Sequence, residues 1–204
     1  MCTTYQKDKK IKIGGISLDY RDDWDILGMV EIYALNIYHI EMIKRGDTVL
    51  DLGAGIGDFS ACASKRVGKS GRVIAIEPNK DDFEFLMKNM KSNRCDNVIA
   101  LNYGVADKEG KLKREFKGQT FEFQAKTLDN ILKETDTPKF DFAKIDIEGA
   151  EVVALQEFTS LEISSMDSIN LIAIEMHGTK ELIDQIFVPR GFVFLRLTKR
   201  EYLT

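Results

Sequence analysis

Residues 48 to 60 read Thr-Val-Leu-Asp-Leu-Gly-Ala-Gly-Ile-Gly-Asp-Phe-Ser. Within this stretch the apolar run of Val49, Leu50 and Leu52 predicts a strand buried on both faces. The run ends in three closely spaced glycines, and a helix is predicted from about Asp58. Glycines allow a ligand to approach the backbone closely, and the first turn of a helix offers unpaired N–H groups. We therefore expect a charged small-molecule ligand at this strand, turn and helix.

The spacing of the glycines distinguishes two kinds of cofactor. A dinucleotide fingerprint reads Gly-x-Gly-x-x-Gly, whereas here the third glycine comes one residue early and Asp58 takes its expected place. An acidic residue followed by a glycine-rich turn instead resembles motif I of class I methyltransferases that use S-adenosylmethionine. The resemblance implies cofactor contacts from Asp51, Gly53, Ala54, Gly55 and Gly57.

The next two strands strengthen this interpretation. Arg72 to Ile76 is a second apolar run, and it ends in Glu77-Pro78-Asn79, 24 residues after Gly53. An acid at the end of the second strand is placed to accept hydrogen bonds from both ribose hydroxyls of a bound nucleoside. We predict that role for Glu77, with Pro78 and Asn79 beside the cofactor. A third strand, Asn97 to Asn102, ends in Tyr103-Gly104, where an adenine ring is expected to lie.

Composition sets the limits of the function. The 204 residues suit one domain with a substantial core, and 44% hydrophobic with 30% charged residues is ordinary for a soluble protein. A net charge of −4 gives no electrostatic reason to expect a nucleic-acid partner. No apolar stretch is long enough to span a bilayer and the polar start is not a signal peptide, so we expect a cytoplasmic protein without a membrane partner. Three scattered cysteines fit a reducing compartment.

Strands alternating with helices predict an α/β fold with a doubly wound, mostly parallel sheet in three layers. We predict one domain, 1–204, with an N-terminal part, 1–46, and a core, 47–204. The predicted N-terminal elements are a short strand or hairpin at 10–18, with Gly14-Gly15 as its turn, and a helix at 25–43. The remaining predicted helices are at 59–67, 80–90, 128–133, 151 to about 158 and 180–187. The remaining predicted strands are an inserted hairpin at 108–126 and strands at 140–147, 169–176, 192–197 and 201–203. The lysines and Arg114 of the inserted hairpin are able to recognise an acidic substrate, although a solvated charged face is the commoner outcome.

The sequence as a whole resembles the FkbM family of S-adenosylmethionine-dependent methyltransferases. The matching pieces cover roughly residues 47 to 178 and occur in the family's order: Val49 to Gly57, Ile76-Glu77-Pro78-Asn79, Lys144-Ile145-Asp146-Ile147-Glu148-Gly149-Ala150-Glu151, and Ile174-Glu175-Met176-His177. The block from Lys144 to Glu151 is the specific one. Gly55 stands where the family often has Asn. The resemblance implies a Rossmann-like sheet of seven strands with the last antiparallel, and O-methylation of a hydroxyl on a small molecule, sugar or lipid.

Polar side chains end the fourth and fifth predicted strands, beside the expected methyl group. Asp146 and Glu148 follow the fourth strand, and Glu175 and His177 follow the fifth. We predict Asp146, Glu148 and His177 as catalytic residues. Asp146 is also predicted to contact the cofactor's amino group, which leaves Glu148 or His177 as the base. Alternatively Glu148 caps the next helix and His177 bonds a loop carbonyl. A divalent metal held by Asp146, Glu175 and His177 is a third possibility, although we predict no metal ligand.

Three rival functions remain at this stage. Methyltransferases that act on nucleic-acid amino groups usually carry an Asn/Asp-Pro-Pro-Tyr motif where this chain reads Asp146-Ile147-Glu148-Gly149, so base methylation is disfavoured. An NAD-dependent oxidoreductase shares the geometry but requires a glycine at position 58. A protein that binds S-adenosylmethionine without turnover would keep every cofactor feature, and the sequence leaves that alternative open.

Overall fold

The structure is a computed structural model, and it describes residues 9–116, 119–137, 139–147 and 171–174, together with residues 181 and 185. Ten strands and four α-helices lie in these ranges. The strands are β1 Lys9–Ile13, β2 Ile16–Tyr20, β3 Thr48–Leu52, β4 Arg72–Ile76, β5 Val98–Leu101, β6 Gly104–Val105, β7 Gly110–Phe116, β8 Gln119–Lys126, β9 Phe142–Ile145 and β10 Leu171–Ile174. The helices are α1 Asp23–Tyr33, α2 Asp58–Val67, α3 Lys80–Asn93 and α4 Leu128–Glu134.

Five of the strands form the central sheet. Their order is β10-β9-β3-β4-β5, and every neighbouring pair is parallel. The first strand of this sheet in sequence, β3, therefore lies in its middle. The chain adds β4 and β5 on one side of β3 and then β9 and β10 on the other. The predicted α/β fold class with a mostly parallel, doubly wound sheet is confirmed. The predicted helix at 151–158 and the predicted strands at 192–197 and 201–203 lie outside the described residues.

Both faces of the sheet are covered, which explains the continuous apolar runs of its strands. On one face, Leu50, Leu52, Ile74 and Ile76 pack with the buried residues of α4. On the other face, Val49 and Val73 pack with Phe59 of α2 and with residues that follow α1. Alternate strand residues thus face opposite helical layers, and the predicted three-layer arrangement holds for the described part of the chain.

The N-terminal part differs from its prediction in one element. The hairpin forms as predicted, with β1 and β2 antiparallel around Gly14-Gly15. The helix predicted over 25–43, however, ends at Tyr33, and a short 3₁₀ turn, Ile40–Met42, follows. Asn36 and His39 adopt left-handed backbone conformations, with φ of 50° and 49°, which no α-helix accommodates. The apolar residues at Ile37, Ile40 and Ile43 continue the helical spacing, but this turn instead buries Ile40 and Ile43 and partly buries Ile37.

The inserted hairpin is confirmed, and a third strand extends it into a small sheet. β7 and β8 pair antiparallel, and the two-residue strand β6 adds to β8 in parallel. This three-stranded sheet lies beside the carboxyl ends of the central strands, where the site described below is formed. Within the described residues, no helix is long and apolar enough to cross a bilayer.

Candidate functional site

Two adjoining cavities open at the carboxyl ends of the central strands. The first, with a volume of about 200 Å³, is lined by the glycine turn, by Glu77 and Asp146, and by side chains from the N-terminal part and the inserted hairpin. The second, of about 250 Å³, is mostly apolar. Both are lined by Gly53, Pro78, Arg114 and Ile147, so they form one continuous cleft. This is the edge at which ligands bind in open α/β sheets.

The glycine turn forms the floor of the cleft. Its backbone is fixed to the neighbouring strand, because the N–H groups of Gly53 and Ala54 both donate to the carbonyl oxygen of Ile76, at 3.0 Å. A Cβ at Gly53, where φ is +77°, would lie 1.8 Å from the backbone oxygen of Asp146. At Gly55, where φ is +53°, a Cβ would meet nothing within 4 Å. The turn therefore packs tightly against the backbone that follows β9 on one side and leaves open space on the other.

Glu77 is held in the wall of the cleft by backbone groups. One carboxylate oxygen accepts from the N–H of Gly55 and the other from the N–H of Asn79, each at 2.8 Å. Burial and the nearby charge of Asp82 raise the pKa of Glu77 to about 7, although the two backbone donors and Lys144 oppose this shift. Asn79 in turn caps α3, because its side-chain oxygen accepts from the N–H groups of Asp81 and Asp82. The acid is thereby fixed at the mouth of the first cavity.

A buried ionic network lies under the turn. The Lys144 ammonium is 3.1 Å from a carboxylate oxygen of Asp51, 2.8 Å from the carbonyl oxygen of Gly53 and 3.8 Å from Oδ2 of Asp146. Burial alone would lower the pKa of Lys144, but the carboxylates of Asp51, Asp146 and Asp58 raise it above its usual value. The lysine therefore stays charged and ties β9 to β3 and to the turn.

Asp146 is held from one side only among the described residues. Its Oδ2 atom accepts a hydrogen bond from the Tyr38 hydroxyl at 2.8 Å. Its Oδ1 atom is buried and has no hydrogen-bond partner in the described part of the chain. Because Asp146 lines the first cavity, it can accept a hydrogen bond from a donor group bound there.

The second cavity suits a flat aromatic group. Tyr103, Gly104, Val105 and Ile147 line it together with Phe123 of the inserted hairpin. A Cβ at Gly104 would lie 2.2 Å from the Phe123 ring, so the glycine is what lets the hairpin close over this space. The cleft as a whole offers an apolar wall and two carboxylates, Glu77 and Asp146, which suit an aromatic base, a vicinal diol and an ammonium group. S-adenosylmethionine has those three parts, and the residues present fit it.

Comparison with known proteins decides the family. The methyltransferase FkbM domain matches residues 51–197, which is most of the chain and includes the turn, Glu77 and Asp146. The chain belongs to the FkbM methyltransferase family. The resemblance drawn from the sequence is confirmed, and so is the predicted cofactor, S-adenosylmethionine.

Individual relatives of this FkbM chain differ in how much of it they cover. A hexuronic acid methyltransferase, AglP, of Haloferax volcanii is 27% identical over 78% of this chain and 64% of its own length. A tRNA (guanine(37)-N(1))-methyltransferase of Aedes aegypti is 38% identical over 29% of this chain and 10% of its own length. The chain thus spans less than two thirds of either relative. Among solved structures, precorrin-6y C5,15-methyltransferase of Geobacter metallireducens is 16% identical over 78% of this chain and 70% of that one, with a TM-score of 0.49.

Most of the predicted cofactor residues converge on the cleft. The first cavity is lined by Gly53, Gly55, Glu77, Pro78, Asn79 and Asp146, and the second by Gly53, Pro78, Tyr103 and Gly104. Asp51, Ala54 and Gly57 lie behind this wall instead. Asp51 is fully buried between Ser60 and Lys144, and Ala54 packs in the core. Of the predicted catalytic residues, Glu148 and His177, with Glu175, lie outside the described residues.

Sequence reasoning missed the side chains that reach the cleft from distant segments. Arg21 and Trp24 come from the N-terminal part, and Phe121 from the inserted hairpin. Nothing local in the sequence signals their approach. Lys144 did carry a signal, because a lysine between Ala143 and Ile145 in a buried strand requires a buried partner. That partner is Asp51, 93 residues away in sequence.

Proposed function

We propose that this chain is an O-methyltransferase that transfers the methyl group of S-adenosylmethionine to an oxygen of an acidic sugar. The observation that carries the proposal is the continuous cleft, in which Glu77 and Asp146 stand on opposite sides of the glycine turn of an FkbM methyltransferase. Glu77 is assigned to the ribose hydroxyls and Asp146 to the amino group. Tyr103 and Gly104 are assigned to the adenine ring.

The acceptor class is argued from the mouth of the first cavity. Trp24, 62% exposed, and Phe121 bring aromatic surface to it, and two guanidinium groups lie there as well. Arg21 is paired with Asp25 and Asp82. Arg114 lines both cavities, and guanidinium groups are suited to carboxylate recognition. AglP, a hexuronic acid methyltransferase by name, is a relative of this chain and supports the same acceptor class.

The chemistry asked of the protein is mainly positioning. When bound, S-adenosylmethionine supplies an electrophilic methyl group on a sulfonium. Holding an acceptor oxygen in line with such a group is worth about 7–11 kcal/mol in well-oriented systems. A base that takes the hydroxyl proton typically adds about 10²–10⁴-fold, and we assign that step to Glu148 or His177. Asp146 is engaged by Tyr38 and by the proposed amino group, which leaves it less available as the base.

The acceptor is tested with methyl-labelled S-adenosylmethionine and three acceptors: a hexuronic acid, the neutral hexose of the same configuration, and an RNA oligonucleotide. We expect label on the hexuronic acid. Arg114→Ala is expected to raise KM for the hexuronic acid about tenfold, the effect of one lost charge-assisted contact, without changing KM for any neutral acceptor. Lys111→Ala is the matched control, because Lys111 is an exposed cation on the same strand that pairs with Glu122.

Two results would overturn this proposal. Transfer of the label to RNA, with none to either sugar, would show that the acceptor is a nucleic acid and not an acidic sugar. Binding of the cofactor without transfer to any acceptor would favour the remaining alternative, a protein that holds S-adenosylmethionine without turnover.

A further inference from the structure

The Tyr38 hydroxyl reaches the site from a segment that precedes the whole cofactor-binding core. It donates to Oδ2 of Asp146 at 2.8 Å, across 108 residues of sequence. The left-handed residues Asn36 and His39 flank Tyr38, so the end of α1 and the turn after it bring this side chain to the sheet.

The Tyr38 ring is held on several sides, so its hydroxyl has little freedom. The side chain is 4% exposed. Its ring packs edge to face against Phe59, with centroids 5.7 Å apart, and Phe59 stacks on Phe142 of the central sheet. The Lys144 ammonium lies 5.3 Å from the centre of the Tyr38 ring. A ring packed in this way presents its hydroxyl at a defined point.

The two oxygens of Asp146 are thereby made unequal. Oδ2 is held by Tyr38, with Lys144 at 3.8 Å, whereas Oδ1 is buried without a hydrogen-bond partner among the described residues. A carboxylate fixed through one oxygen cannot rotate to satisfy the other. We propose that Tyr38 is a positioning residue that orients Asp146 for the cofactor's amino group. This inference rests on the proposed function, because it takes Asp146 to be a cofactor contact.

The test uses the full chain and S-adenosylhomocysteine, which keeps the amino group and binds without turnover. Tyr38→Phe removes the hydroxyl and keeps the packed ring. We expect it to weaken S-adenosylhomocysteine binding about tenfold, the size of one hydrogen bond to a charged group. Tyr33→Phe is the matched control, because the Tyr33 hydroxyl donates to the carbonyl oxygen of Asp58, at 2.9 Å, and not to Asp146. The control is expected to bind as the wild type does.

A double-mutant cycle separates positioning from a structural effect. If Tyr38 acts through Asp146, Tyr38→Phe weakens S-adenosylhomocysteine binding in the otherwise wild-type chain. The same substitution then causes no further loss of affinity in a chain that already carries Asp146→Asn. Additive losses would overturn the inference, and so would wild-type affinity in Tyr38→Phe. Absence of S-adenosylhomocysteine binding by the wild type would instead remove the proposed function itself, so the two failures are distinguishable.

A measurement on the unmodified hydroxyl keeps the inference testable should Tyr38→Phe fail to fold. The chain is labelled with ¹³C at the tyrosine Cζ atoms, and the NMR chemical shift of each tyrosine is measured. The resonance that shifts in Asp146→Asn is taken as that of Tyr38. We expect the same resonance to shift when S-adenosylhomocysteine binds to the wild type. The resonance lost in Tyr33→Phe identifies the control tyrosine. Tyr103, which lines the second cavity, is expected to move with the ligand alone. A resonance that Asp146→Asn displaces and that S-adenosylhomocysteine leaves unmoved would contradict the inference.

Discussion

At the scale of single residues, the glycine turn has little space for a side chain at Gly53 and open space for one at Gly55. Gly53 lies against the backbone of Asp146, just after β9, and moving that backbone is costly, whereas Gly55 faces open space. Both have positive φ, but Asn tolerates that region far better than other residues. This explains how the Asn that the family often carries at the position of Gly55 can be accommodated there.

We accordingly expect Gly53→Ala to lower the free energy of unfolding by about 2–4 kcal/mol, since strain and overpacking add together. Gly55→Asn is expected to lower it by less than about 1 kcal/mol. Urea unfolding of the two variants and the wild type measures both values. Equal losses at the two positions would show that the turn does not pack against the backbone that follows β9 as described.

The pKa of Glu77 makes a second prediction at this scale. Burial raises it to about 7 from an ordinary value of 4.5. Between those values the folded chain retains a proton that the unfolded chain has released, so this group makes the free energy of unfolding fall as pH rises from about 4.5 to about 7. Glu77→Gln removes the effect. We expect the wild type to lose about 1–2 kcal/mol more than the variant between pH 5 and pH 7.

Urea unfolding at the two pH values checks this prediction. Other titrating groups, including Asp58, whose pKa burial also raises to about 7, are present in both chains and cancel in the comparison. Parallel pH dependence of the two chains would mean that Glu77 is ionised in the folded state without cost.

At the scale of elements, the turn after α1 is the part of the fold that controls the position of Tyr38. Asn36 stabilises this turn by adopting a left-handed backbone, by accepting from the N–H of Ile40 at 3.1 Å and by donating to the carboxylate of Glu41. We expect Asn36→Ala to lower the free energy of unfolding by about 1–2 kcal/mol, because it loses both hydrogen bonds and strains the backbone. Asn36→Gly loses the same two hydrogen bonds without straining the backbone, so it is expected to cost less. Thermal unfolding of both variants tests this order, and a fully stable Asn36→Ala chain would contradict it.

The same element shows where sequence reasoning reached its limit. The strands of the central sheet could be predicted because a strand covered on both faces is apolar throughout, as Val49 to Leu52 and Val73 to Ile76 are apart from Asp51. The helix over 25–43 was wrong beyond Tyr33 because its apolar spacing is satisfied equally well by a buried turn. Asn36 was the only local hint of the break, and tolerance of Asn for the left-handed region does not by itself end a helix.

At the scale of the whole molecule, the site is assembled from segments far apart in sequence. The glycine turn, Glu77 and Asp146 follow strands of one parallel sheet, so their convergence could be predicted from strand order alone. Arg21, Tyr38 and Arg114 arrive from outside that sheet, and their approach depends on how the N-terminal part and the inserted hairpin pack. The single-domain organisation predicted for residues 1–204 remains a prediction.

The central claim is that this cleft binds S-adenosylmethionine with Glu77 on the ribose. Calorimetric titration with S-adenosylhomocysteine and, separately, with NADH tests it most directly, in the wild type, in Glu77→Ala and in Glu84→Ala, an exposed glutamate on α3. We predict S-adenosylhomocysteine binding of roughly micromolar Kd, about −8 kcal/mol, in the wild type and the Glu84 control, loss in Glu77→Ala, and no NADH signal. Absence of S-adenosylhomocysteine binding, or binding unchanged in Glu77→Ala, would contradict the account.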